Sequence, residues 1–416
     1  MKICLVTTFP PSHQGLAEYG FHIAQELQRN PLLSLTVLAD ELNPPQPEPE
    51  DYHVIRCWYF NSLRNPDRLL RNIYSIRPNV VWFNLGFATF GDKPPTTFAG
   101  ICLPLLSRLS GYYTHVTLHQ VIDYVNLQDA GIRYPRAYRA AGYIATRMLL
   151  MANSISVLLP AYRRTLQEKY HGENVHVRMH GIFSGRPEFP DFSLRGDPID
   201  RVLAFGKWGT YKRLEQVIEA FTQVAQVVPN AQLVIAGGDH PKTPGYVASI
   251  AAQHRDNPRI AFTGYVPEEK LSEVFRTASI AVMPYSSAAG SSGVAHLAAA
   301  YGLPIICADI QDFREMAEDE NLAIDFYERG NNGNLAEQMI KLLRDRERQR
   351  EMATQNFSAA MRMTMPQIIR QYLRSFDVHQ RTRALEPLRR FRRFPSWVPS
   401  RSALARAVAA RSAPWL

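Results

Sequence analysis

Along almost all of this 416-residue chain, short apolar runs rich in β-branched residues alternate with stretches of helical periodicity. Parallel strands need a crossover of a dozen or more residues, usually a helix, so this alternation points to sheets wound with helices rather than to a meander or a bundle. In the first half the strand-like runs are Lys2 to Phe9, Ser34 to Ala39, Val54 to Tyr59, Val80 to Asn84, His115 to His119, Ser154 to Leu159 and Val175 to Met179. In the second half they are Val202 to Gly206, Gln232 to Ala236, Arg259 to Thr263, Ile280 to Pro284, Ile305 to Ala308 and Leu322 to Asp325. Leu214, Val217, Ile218, Phe221, Val224, Ala225 and Val228 recur at steps of three and four, which predicts an amphipathic helix. The chain is about two to three times the usual single domain, so two cores are expected. Ser184 to Asp200, rich in proline, glycine and charge, reads as the linker. The expected organisation is therefore an α/β fold of two doubly wound Rossmann-like domains, residues 1–184 and 201–364, joined by 185–200. A helix over 365–380, with Gln367 to Val378 clearly periodic, is expected to return to the first domain, and a tail over 381–416 follows. Open α/β sheets bind ligands beyond the carboxyl ends of their strands, which places the expected site in a cleft between the domains.

Charge is distributed unevenly. From Arg381 onward the chain holds nine arginines against the single acid Glu386, so +8 of the net +9 lies in the tail and the body is almost neutral. The high pI therefore says nothing about a nucleic-acid-binding body, and no nucleic-acid partner is expected. The tail interleaves arginines with aromatic residues in FRRFPSW, a composition suited to anionic headgroups; the competing readings are a solvated tail and, below it, RNA binding. The four cysteines, Cys4, Cys57, Cys102 and Cys307, are scattered without metal-ligand spacing and read as reduced thiols. No signal-peptide core follows Lys2, and no apolar run approaches the roughly 18 residues of a membrane helix. A cytoplasmic protein is expected, with peripheral attachment to an anionic membrane surface through 388–416.

Two junctions carry the chemistry. Phe205 to Arg213, FGKWGTYKR, is a strand end followed by a glycine-bearing loop that opens a helix. Flexible backbone at Gly206 and Gly209, a helix N-terminus and the cations Lys207 and Lys212 suit a phosphate, while a solvated basic turn is the plain alternative. Ser286 to Gly293, SSAAGSSG, precedes a second helix, Val294 to Tyr301, whose first amides and the hydroxyls of Ser291 and Ser292 make a second anion cradle. Standing alone, that junction would read as a flexible loop capped by Ser292. Two such junctions in one domain suit a diphosphate. No Asp-x-Asp pair occupies a suitable loop, so neither a metal nor another cofactor is expected.

In these segments the chain resembles the family-four glycosyltransferases, which have the B-type fold of two Rossmann-like domains facing across a cleft. The likeness runs from Lys2 to about Phe376. FGKWGTYKRLEQVIEAF looks like the family's donor-site strand, basic pair and helix, with Lys207 where arginine is usual. QLVIAGGD, RIAFTGYVPEEKLSEVFRTASIAVMPY and AAAYGLPIICADI follow in the family's order. In the first half, Gln14 and Gly15 leading into GLAEYGFHIAQEL resemble the acceptor-side loop. VTLHQVID sets His119 at a strand end, where the family commonly has a histidine facing the sugar.

The resemblance implies retaining transfer of a sugar from a nucleotide diphosphate donor to a hydroxyl on a glycan or lipid-linked acceptor, in assembly of a bacterial envelope glycan. It implies that His119 contacts the donor sugar. Lys207, Lys212 and the amides at Gly290 to Gly293 would then stabilise the leaving diphosphate, with Gly15, Gly206, Gly209, Ser291, Ser292 and Val294 around it. One departure is plain: the family's two glutamates, eight residues apart, align with Ala289 and Leu297, neither of which can accept a hydrogen bond from a hydroxyl. His296 is one residue away, about 100° around the helix. A catalytically silent relative acting as a partner subunit is therefore a second reading. A dinucleotide oxidoreductase is a third, weakened because Phe9 to Gly15 reads FPPSHQG and holds no GxGxxG.

Overall fold

A computed structural model describes residues 1–390 apart from 13–14, 48–50, 125–133, 184–186, 193–194, 196–198, 210–211, 241 and 287–290. The strand-like runs of the first half become β1 (Lys2–Val6), β2 (Ser34–Asp40), β3 (Val54–Trp58), β4 (Val80–Leu85), β5 (Tyr113–Leu118), β6 (Ser154–Val157) and β7 (Val175–Val177). Those of the second half become β8 (Asp200–Phe205), β9 (Ala231–Ala236), β10 (Ile260–Gly264), β11 (Ile280–Met283), β12 (Ile305–Ala308) and β13 (Ile324–Tyr327). The first set forms one sheet in the order β3-β2-β1-β4-β5-β6-β7 and the second another, β10-β9-β8-β11-β12-β13. Neighbours in both are parallel. Helices connect the successive strands of each sheet except between β2 and β3, where no helix lies among the described residues, so the expected pair of doubly wound Rossmann-like sheets is borne out.

Central strands of such sheets are covered on both faces, which is why their sequences are continuously apolar rather than alternating. β4 (VVWFNL) and β5 (YTHVTL) are buried at every position. Polar atoms meet inside the core: Trp82 Nε1 donates to Thr117 Oγ1 at 2.9 Å, and His115 Nδ1 lies 2.6 Å from Ser154 Oγ. The predicted amphipathic helix is Leu214–Val227, burying Leu214, Val217, Ile218, Phe221 and Val224. Cys4, Cys57 and Cys307 are buried free thiols.

Some boundaries move for physical reasons. β1 ends at Val6 instead of Phe9: the Thr7 amide still donates to Leu38 O at 3.2 Å, but the Phe9 amide is taken by the Asp40 side chain, Oδ1 at 3.1 Å. β13 begins two residues later than its apolar run suggests. Asn321 ends the helix Gln311–Glu320 in a left-handed conformation, and the Ala323 amide is taken by Asn356 Oδ1 at 2.7 Å, so pairing starts at Ile324 against Ile305.

Residues 1–369 form one compact unit and 370–416 a second. Within the first, the chain at Thr364 returns to Ile182, just after β7: the Ile182 amide donates to Met363 O at 2.9 Å and the Met365 amide to Ile182 O at 3.2 Å. The helix that starts there, Met365–Arg390, runs ten residues into the segment read as tail from 381, and the remainder of that tail, 391–416, lies outside the described residues. No helix among the described residues is long and apolar enough to cross a membrane.

Candidate functional site

In each sheet the connections diverge on either side of one strand pair, β1/β4 in the first and β8/β11 in the second, and the crevice beyond their carboxyl ends is where such folds hold ligands. In the first sheet three strand ends supply a relay of hydrogen bonds. Asn84, in β4, donates its Nδ2 to Thr7 Oγ1 at 3.1 Å beside β1. Its Oδ1 lies 2.7 Å from Nε2 of His119, the residue after β5. The amide oxygen can only accept, so the His119 proton sits on Nε2, and Nδ1 is left as an acceptor. Burial pulls the His119 pKa down to about 3, so the ring is neutral. A neutral acceptor at a strand end is suited to a sugar hydroxyl and cannot stabilise negative charge.

The helix Ala17–Gln28 closes onto this relay through Gly20, where a Cβ would stand 2.7 Å from Thr7 Oγ1 and 2.9 Å from Thr8 O. Only glycine permits that approach. Gly15, ahead of the helix, is exposed with open space about its Cα.

The second sheet presents cations instead. Gly206, directly after β8, is buried; Lys207 is exposed; Trp208 is fully buried, donating Nε1 to Ala236 O at 3.0 Å. The alternation of an extended segment thus turns Lys207 outward and anchors its neighbour. The chain then makes a tight turn in which Gly209 and Lys212 exchange backbone hydrogen bonds of 2.9 and 3.0 Å. Gly209 has φ +107°, and a Cβ there would collide with Thr243 at 1.9 Å, so this turn requires glycine. It swings Lys212 back over the sheet. Its Nζ sits 4.4 Å from the centroid of the Tyr285 ring, after β11, and 3.8 Å from where a Cβ on Gly206 would be. Lys212 therefore stands directly above the β8/β11 switch point. Lys207 and Lys212 both act on His240, whose pKa is lowered first by burial and then by the surrounding lysines.

Beside them begins the helix Gly293–Ala300. Ser292 caps it, its Oγ accepting from the Ala295 amide at 3.3 Å, so the capping role foreseen as the plain alternative is real. Ser291 Oγ is buried with no hydrogen-bond partner among the described residues. Val294 is partly buried against the core. Leu297, where the family resemblance expects a glutamate, also packs there. Gly290 and Ala289 lie outside the described residues.

His296 points away from the crevice. Its Nδ1 lies 2.7 Å from Ser292 O and its Nε2 2.7 Å from Glu320 Oε2. Two acceptors require two protons, so the ring is an imidazolium paired with a buried carboxylate. Burial alone would lower its pKa, but the Glu320 charge and hydrogen bond outweigh that and raise it.

Four rings then join the two sheets' ends. His119 meets Tyr19 edge-on at 4.8 Å, Tyr19 meets His180 at 4.6 Å, and His180 stacks on His296 at 5.0 Å. A second crossing pairs His22 with Glu268 at 3.9 Å, a proximity rather than an ion pair, because burial holds the His22 pKa at about 4. The structure thus brings His119 to the first sheet's crevice, and Lys212 and the Gly293 helix start to the second's. Thr7, Gly20, Asn84, His180 and Glu320 were not found by sequence reasoning. The one available signal was Asn84, a polar residue ending an otherwise apolar strand.

Residues 200–345 match the family model for Glycosyl transferases group 1. No curated protein matches the chain in sequence. Among solved structures, the fold is similar to sucrose-phosphate synthase from Thermosynechococcus elongatus, with TM-score 0.71 and 15% identity over 92% of this chain and 99% of that one. It is also similar to Anabaena HepE in complex with UDP-glucose, with TM-score 0.65 and 14% identity over 91% and 100%. A third is WaaG, a glycosyltransferase involved in lipopolysaccharide biosynthesis, with TM-score 0.62 and 14% identity over 91% and 99%. The family match and the shared architecture bear out the resemblance to a B-type glycosyltransferase.

Proposed function

We propose that this chain transfers a sugar from a nucleotide diphosphate donor to a hydroxyl acceptor, with retention of configuration. The observation that carries the reading is Lys212, held by a glycine-dependent turn over the switch point of the second sheet, next to the capped start of the helix Gly293–Ala300. Breaking the sugar–phosphate bond leaves charge on a diphosphate, and preorganised cations and amides at that place lower the barrier without a covalent step by the protein. Lys207 and Lys212 supply that charge in place of a metal ion. His119 accepts from a sugar hydroxyl through Nδ1 and so orients the ring. HepE, of the same fold, holds UDP-glucose, which supports a nucleotide-sugar donor. A glycan or lipid-linked acceptor, and attachment of the 388–416 segment to an anionic membrane surface, rest on the sequence alone.

A thermal unfolding screen against uridine, guanosine and adenosine diphosphates and their sugars tests the donor. A ligand at a hundred times its Kd stabilises the folded state by about 2.7 kcal/mol, so one nucleotide should raise the Tm by several degrees. No shift with any of them would remove the donor site. Leu297, packed into the core where a polar contact to the donor is expected, keeps the silent-partner reading in play. Binding of a nucleotide-sugar without its consumption in the presence of candidate acceptors would favour that second reading.

A further inference from the structure

His180, three residues beyond β7, is only 8% exposed, yet the function above does not use it. Its ring lies nearly flat on His296, with an interplanar angle of 18°. Its Nδ1 is buried with no hydrogen-bond partner among the described residues. The ring is neutral, so one nitrogen carries the proton and the other accepts; a phosphate oxygen set against Nε2 would select the Nε2–H tautomer. Neutrality is enforced by burial and by the imidazolium stacked against it. Nε2 faces the helix start: a Cβ on Gly293 would lie 3.7 Å from it, and glycine leaves that space open. Ser291, two residues before Gly293, also has a buried Oγ without a hydrogen-bond partner among the described residues. The Cε1–Nε2 edge of His180 thus borders the amides that open the Gly293–Ala300 helix, and no acceptor for an Nε2–H lies among the described residues.

Resting on the reading of this helix start as the donor's phosphate site, we propose that His180 is a donor-contacting residue whose Nε2–H donates to the distal phosphate of the nucleoside diphosphate. The His296–Glu320 pair is its positioning support. One edge of the imidazolium is fixed by Ser292 O and the other by Glu320, so the platform under His180 cannot turn, and the same bond to Ser292 ties it to the helix cap. His180 comes from the first half of the chain and Gly293 from the second. A phosphate held by both is gripped from two sides, with a neutral donor adding to the lysines' charge.

Calorimetric titration of the full chain with uridine, guanosine and adenosine diphosphates, and with the matching monophosphates, tests this. His180→Phe keeps a ring on His296 and removes the donor. It should weaken the bound diphosphate about ten- to a hundredfold and leave the monophosphate unchanged, and His180→Gln, which restores an N–H, should recover part of the loss. Equal diphosphate affinity in His180→Phe, or an equal loss for mono- and diphosphate, overturns the contact while leaving the donor reading standing. Failure of the unsubstituted protein to bind any diphosphate overturns both. Nitrogen-15 histidine spectra of the unsubstituted protein need no variant: the His180 Nε2–H resonance should move with the diphosphate and not with the nucleoside, and an unmoved resonance overturns the proposal.

Discussion

Counted from its own first strand, each sheet runs 3-2-1-4-5-6, with β7 added to the first, yet the two carry opposite chemistry at their carboxyl ends. The first end is neutral, buried and bonded to itself through Thr7, Asn84 and His119. The second is cationic, with Lys212 over Tyr285, the exposed Lys207, and an imidazolium locked behind the helix start. A shared topology supplies two crevices, and the side chains decide what each can recognise. Uncharged hydroxyls suit the first and a diphosphate suits the second.

The contrast breaks most severely at Glu320. Removing one member of a buried pair leaves the other's charge uncompensated, so Glu320→Ala should lower the unfolding free energy by about 3–5 kcal/mol in urea titrations. A loss below about 1 kcal/mol would show that His296 is neutral. The pH dependence has a definite sign. The His296 pKa is raised in the folded state, so its stabilisation is complete below the unfolded value of 6.5 and is lost as pH rises through the folded value. The unsubstituted protein should weaken above pH 6.5, and Glu320→Gln should lack that decline.

Next in size is Lys212→Ala, which should remove about 3 kcal/mol of transition-state stabilisation, roughly a hundredfold in kcat, with the fold retained by circular dichroism. Unchanged turnover would take the catalytic cation away from the second end. The smallest effect is expected at His119. His119→Ala forfeits one neutral hydrogen bond, about 1 kcal/mol or several-fold in kcat/KM, and a larger drop would mean that this end handles charge after all. Here the pH sign reverses: folded values of about 3 for His119 and about 4 for His22 lie below 6.5, so the unfolded chain takes up protons first as pH falls. Each ring then costs about 1.4 kcal/mol per pH unit down to its folded value. Acid unfolding followed in His22→Gln should be less steep than in the parent chain.

Much of the architecture was readable from the linear chain because it rests on local rules. VVWFN and THVTLH had to be strands buried on two faces, and FGKWGTYKR had to be a strand end, a turn and a helix entry. The site was legible only where it was equally local. Gly209 and Lys212 lie within one turn, and Ser292 caps the helix it precedes. His296 stood one residue from the position of interest, about 100° around the helix, and only the fold shows it bonded to Glu320. Thr7, Asn84, His180 and Glu320 gave no comparable signal, since each acquires meaning from a partner in another element.

The order of apolar runs, turns and helix entries by itself determined two parallel sheets and a basic loop at the start of the second, because periodicity and backbone hydrogen-bonding capacity are properties of neighbouring residues. Which histidine is a neutral acceptor and which an imidazolium was decided only by the folded chain. A proton's place on an imidazole ring depends on the burial and partners that packing brings together, and neither is written in the spacing of residues.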